Sequence, residues 1–278
     1  MFRRRTKRAQ GGAPEEPTAG ALAMPLLEAP RPVTTDSLLA AWRSAWPDST
    51  PPADFETRTD EHEFGAMTFA IDGMRGALVV VPAPIPAGEL DGPAATSWLW
   101  PDAPQEIERV NAHVVTWVSG TGRPLDAYRH LTRLVSAVLR ATDGLGVYWG
   151  TAAHVIRADV YDTIAHESDD DSLPVTLWVD FRAFAEDGDA EDAGGDRSAL
   201  FTVGLSAFGL MELEIGPSDK QPGELRELGM SVASYLIENG PVLGDGDTVG
   251  ATEDQRVVVR HAPSMVDRPG TVYRLEGF

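Results

Sequence analysis

The chain has 278 residues, 42% of them hydrophobic, enough to bury the core of one large domain or two small ones. Its 43 acidic against 23 basic residues give a formal charge of -20, which repels phosphate backbones and excludes nucleic acid as a general partner. There is no cysteine, so disulfides, thiolate catalysis and Cys-ligated zinc or iron–sulfur centres are excluded as well.

Residues 1–34 open with the basic run MFRRRTKR, continue through AQGGAPEEPTAG without an apolar stretch, and end in EAPRPVTT. This reads as a disordered arm and not as an export signal. No apolar run approaches the roughly 20 residues needed to span a bilayer, so a soluble, cytoplasmic protein is expected. From Thr35, TDSLLAAWRSAW sets Leu38, Leu39, Trp42 and Trp46 at helical spacing behind an Asp or Ser cap and stops at Pro47. FGAMTFAI, DGMRG and ALVVV predict a hairpin turned on glycine; residues 88–111 predict a loop with one helix, and HVVTWV a strand. DAYRHLTRLVSAVLRAT places Tyr128, Leu131, Val135 and Val138 on one helical face, closes at Gly144, and is followed by the short strand GVYWG.

The order then recurs. Helix HVIRADVYDTIAHE precedes strand VTLWVDFRAFA, an acidic turn, strands ALFTVGLSAFG and MELEIG, and helix GELRELGMSVASYLIEN, which closes at Gly240 before Pro241. RVVVRH and TVYRLE supply further C-terminal strands. The expected fold is α+β, with two related α-β-β-β-α-β halves over residues 35–151 and 152–278 and mostly antiparallel sheets packed against helices.

No catalytic motif is complete. SGTGRPL (119–125) lies where a dinucleotide fingerprint would, but Leu125 stands in place of the third glycine. GLSAFG (204–209) lacks the glycine that a nucleophile elbow needs two residues after Ser206. The six histidines fall in no short metal-ligand spacing, and EDGDAEDAGGD (186–196) departs from a calcium loop at Asp192, so it reads as a solvated hairpin loop. Trp98, Trp100, Trp117, Trp149 and Trp178 could line a ligand groove, although core packing accounts for most such residues.

The acidic residues that invite a site are Glu212 and Glu214, two apart on a strand, and Asp245 and Asp247 in the turn LGDGDTVG. The pairs flank the second long helix, so they could meet at one sheet end, and their oxygen ligands would suit magnesium, manganese or calcium. Asp-Gly turns and alternating Glu are also ordinary turn and half-exposed strand chemistry.

At GLGVYWG, FTVGLSAFGLMELEIG and GDGDTVG the chain resembles the bacterial domain of unknown function 4261, over roughly residues 60–276. The resemblance implies a bacterial α+β domain and carries no catalytic residues. The leading expectation is a domain that works without catalysis through a protein partner and needs no cofactor. The alternative is a divalent-metal-dependent hydrolase in which Glu212, Glu214, Asp245 and Asp247 hold a cation that activates water.

Overall fold

A computed structural model describes residues 18–59, 64–168, 172–186, 197–250 and 257–277. Among these, no helix is long and apolar enough to cross a membrane. The first departure from expectation comes at the start. TAGALAMPLL forms strand β1 (Thr18–Leu27), which lies inside a seven-stranded sheet, so this stretch is not part of an arm. Residues 1–17 lie outside the described residues.

The first sheet runs in the order β2 (Ala53–Thr59), β3 (Gly65–Ile71), β4 (Met74–Val81), β5 (Ala112–Thr121), β1, β6 (Gly146–Trp149), β7 (His154–Arg157). Every neighbouring pair is antiparallel. The β3–β4 turn is made by Asp72 and Gly73, both at positive φ (45° and 78°), the conformation that matches the twist of a two-residue hairpin. Helix α1 (Thr35–Ala45) starts at a capping box between Thr34 and Ser37. After the short helices α2 (Asp91–Ala95) and α3 (Ala103–Glu106) comes α4 (Pro124–Thr142), which opens on proline and ends at Asp143 in the left-handed region. Ala19, Ala21 and Ala23 of β1 are buried in the same core as α4, and their small side chains let helix and sheet approach closely.

Helix α5 (Ala158–Glu167) begins later than expected, because HVIR pairs with β6 as a strand instead of opening the helix. The expected boundary at 151/152 therefore falls inside a hairpin of the first sheet. VTLWVDFRAFA likewise divides into the one-turn helix α6 (Val175–Trp178) and strand β8 (Asp180–Glu186). ALFTVGLSAFG divides into the end of β9 (Arg197–Val203) and a 3-10 turn at Leu205–Phe208. Then follow β10 (Leu213–Ser218), α7 (Pro222–Asn239), β11 (Thr248–Val249), β12 (Val257–Pro263) and β13 (Thr271–Glu276). The second sheet has the order β11-β12-β13-β10-β9-β8, with only β10 and β13 parallel.

The fold is thus α+β with two mostly antiparallel sheets. Each sheet contains a three-stranded meander leading into a long helix, β3-β4-β5-α4 and β8-β9-β10-α7. Beyond the helix the pairing differs: β1 intervenes between β5 and β6, whereas β13 pairs directly with β10. A continuous core joins the two. At its centre Tyr128 of α4 packs against Trp149 of β6, Trp178 of α6 and Phe208 of the 3-10 turn, with ring centroids 4.4 to 5.8 Å apart. Trp178 Nε1 also donates to Thr132 Oγ1 on α4 at 2.8 Å. On the second sheet Gly229 lets α7 lie directly on Phe181 and Leu200, where an added Cβ would come within 3.2 Å of the Phe181 ring.

Candidate functional site

The structure gives the four candidate carboxylates separate tasks. Glu212 lies just before β10 and closes the GLSAFG loop. Its Oε1 accepts from Gly204 N at 3.0 Å and Ser206 N at 3.1 Å, and its Oε2 from Leu205 N at 3.3 Å and Thr202 Oγ1 at 2.8 Å. The three successive N–H groups form a concavity suited to an anion, and the chain's own carboxylate fills it. Glu214 is only 1% exposed; it accepts from Ser264 Oγ and from Met265 N at 2.9 Å, with Arg274 Nη2 3.5 Å away.

Asp245 and Asp247 pin the loop before β11 to β12. Asp245 Oδ1 accepts from His261 N at 2.9 Å, Asp247 Oδ2 accepts from Gly244 N at 2.7 Å, and Val259 N donates to Asp247 O at 2.8 Å. In strand order β13 stands between this loop's partner β12 and β10. The row opposite Glu214 is Arg274 and then Arg260, so two guanidinium groups occupy the positions across which a cation would have to be shared. Among the described residues, no group of three or more His, Asp or Glu side chains is placed to hold a metal. The expected convergence of the four carboxylates does not occur: hydrogen-bond geometry and intervening arginines keep the two pairs apart. Most of the acidic run 186–196 lies outside the described residues.

A second cluster forms the seam between the sheets. His154 of β7 and Asp180 of β8 are both buried, with His154 Nδ1 4.0 Å from Asp180 Oδ1. Arg182 Nε donates to Asp180 Oδ2 at 2.6 Å, and Arg182 Nη2 donates to Ala153 O at 2.9 Å, tying the β6–β7 turn to the second sheet. His154 Nε2 lies 3.1 Å from Leu177 O; a carbonyl can only accept, so Nε2 carries the proton and Nδ1 is bare in the neutral ring. Burial pushes the His154 pKa down from its ordinary value, against the pull of the Asp180 charge. Asp180 Oδ1 has no hydrogen-bond partner among the described residues. With His154 and Asp180 both shielded from solvent, this arrangement joins the two sheets.

An accessible feature is the face of the first sheet away from α4. Part of it is covered by the chain itself, where Leu26, Tyr148 and Val155 pack against Ile85, Leu90, Trp100 and Val110. The rest is open. Trp117 of β5 is 42% exposed and Val79 of β4 is 38% exposed, with Ala77 opposite Trp117 in the register. Around them Asp54, Glu56, Arg58, Thr68 and Arg75 line a depression of about 580 Å³. Trp100, Trp149 and Trp178 are buried, so of the expected groove tryptophans only Trp117 stands on an open surface while Trp98 is half-buried. The signal was present in HVVTWVSG: period two puts Trp117 in phase with the polar Ser119 and out of phase with the buried Val114 and Val118.

The second sheet is where a known family becomes recognisable. The model of the family described as Domain of unknown function (DUF4261) matches residues 201–276. That span runs from β9 to β13 and includes FTVGLSAFGLMELEIG and GDGDTVG, while GLGVYWG and the first sheet with Trp117 fall outside it. No curated protein and no solved structure matches the chain.

Proposed function

We propose that the chain is a bacterial, cytosolic, non-catalytic binding domain that works through a protein partner seated on the open face of the first sheet. The observation that carries this reading is the exposure of Trp117 beside Val79 on a sheet face whose other half is already covered. A large aromatic anchor in a shallow apolar patch, rimmed by charges of both signs, has the anatomy of an interface centre and its polar rim. The partner chemistry that fits is a segment with an aliphatic or aromatic anchor and basic flanks, since a chain of formal charge -20 draws a basic partner in more quickly. The hydrolase alternative receives no support: each of the four carboxylates is engaged by protein donors, and the intervening arginines oppose a shared cation.

Quantitative enrichment from the native host tests the reading. Bait proteins would be the unaltered chain, Trp117→Ala, Val79→Asp, and Val242→Ala as a control at another exposed apolar residue. A protein enriched by the unaltered chain and by the control but lost from both face variants is the expected result. Equal recovery by all four baits, or no enrichment by any, contradicts it.

A further inference from the structure

Among the described residues, strand β2 is the outer strand of the first sheet, so one row of its backbone N–H and C=O groups faces away from β3 and meets no described strand. We propose that this edge joins two copies of the chain, β2 pairing antiparallel with the partner's β2 about a two-fold axis at Thr57. The proposal does not rest on the partner reading above, although Glu56 and Arg58 also line the depression beside Trp117.

The segment is regular where the pairing needs it. From Glu56↔Thr68 to Thr59↔Gly65 the register with β3 is unbroken, while the irregularity lies before Glu56, at Asp54 with φ 53° and after Pro51 and Pro52. The start of the strand is therefore closed to augmentation and the rest is open. Phe55 is held on the inner side, its ring 5.4 Å from that of Phe69. Glu56 and Arg58 project from the opposite, open face, and among the described residues neither has an ion-pair partner.

An axis through Thr57 sets Glu56 opposite the partner's Arg58 and Arg58 opposite the partner's Glu56. Directly opposed side chains share a face in an antiparallel pair, so both contacts form on the open side. Charges on an edge strand ordinarily discourage pairing with other chains. In the order Glu-Thr-Arg they are self-complementary, which keeps that protection against unrelated strands and removes it for a second copy. The two seven-stranded sheets then become one, with two Trp117 faces on the same side.

Sedimentation velocity across a concentration series of the full chain tests the proposal. The unaltered chain is expected to dimerise. Glu56→Arg and Arg58→Glu should each weaken the dimer by about tenfold or more, because each places like charges opposite one another twice. The combined exchange, Glu56→Arg with Arg58→Glu, should restore it. Because the chain has no cysteine, Thr57→Cys adds a single thiol at the axis and should give a covalent dimer on mild oxidation, while Ser206→Cys at another exposed position should not. A chain that stays monomeric at high micromolar concentration, single reversals without effect, an exchange that fails to restore the dimer, or equal cross-linking at both thiols each overturns it. Unchanged urea midpoints for the variants show that their folds are intact.

Discussion

Replacing Glu212 separates a structural carboxylate from a metal ligand. Its two oxygens accept from three backbone N–H groups and one hydroxyl, at 2.8 to 3.3 Å. Thr202, Gly204 and Leu205 are buried, so water does not readily take over those bonds; Ser206 is exposed and its N–H can be resolvated. With hydrogen bonds to a charged group contributing about 1.5–3 kcal/mol each and part of that recovered from water, Glu212→Ala should cost about 2–4 kcal/mol. Glu212→Gln keeps one acceptor oxygen but turns an amide NH₂ toward N–H donors, and should cost about 1–2 kcal/mol. Urea unfolding followed by circular dichroism would read both as a lower midpoint at unchanged slope. A metal ligand in a carboxylate cluster behaves in the opposite way, because its removal from the metal-free chain relieves like-charge repulsion and stabilises the fold. Glu212→Ala unfolding within about 0.5 kcal/mol of the parent would refute the capping role, and saturable magnesium, manganese or calcium binding lost in that variant would point to the cation instead.

Two further outcomes follow from buried geometry. Burial lowers the His154 pKa below its ordinary 6.5, so the unfolded chain binds more protons than the folded one once pH drops below that value. Stability should therefore fall as pH decreases through 6.5, by up to about 1.4 kcal/mol per pH unit from this residue, and His154→Gln should flatten that slope; unfolding midpoints at several pH values with the same slope in both proteins would contradict it. Gly204 has φ 126°, and an added Cβ would lie 2.7 Å from Trp178 O, so Gly204→Ala should cost about 3 kcal/mol or more, well beyond Gly209→Ala, whose site is open. Thermal melts of the two variants compare them directly, and equal losses would refute the packing argument.

Helices with a strong apolar face were legible. Residues 126–142 carry Tyr128, Leu131, Val135 and Val138 into the core as their spacing requires, and Pro222 and Gly240 bound α7. What escaped was set by tertiary context. In β1 the alternation of Ala19, Ala21 and Ala23 is a buried-strand pattern written in small residues, and alanine, glycine and proline resemble an arm when no neighbouring strand is known. ADFETRT is a charged edge strand with little apolar periodicity to mark it in the sequence. HVIR reads as helix by composition, yet Ala153 at φ 49° turns the chain back so that it pairs with β6.

The carboxylates show the same limit at the level of the site. Spacing in sequence puts Glu212 and Glu214 on one strand and Asp245 and Asp247 in one turn, but the donors to Glu214 and Asp245 come from elsewhere in the chain. Ser264 and Met265 reach Glu214 from 50 and 51 residues away, and His261 meets Asp245 from 16 residues away. Trp117 was visible as a residue; its exposure depended on which half of the sheet the segment from Ile85 to Val110 covers.

Site-specific photo-cross-linking in the native host tests the central claim most directly. A photoreactive residue at position 117 should give a defined covalent adduct with one protein, and the same group at Tyr235, which is exposed on α7, should not. Adducts of equal yield from both positions, or none from 117, would contradict a partner seated on the open face of the first sheet.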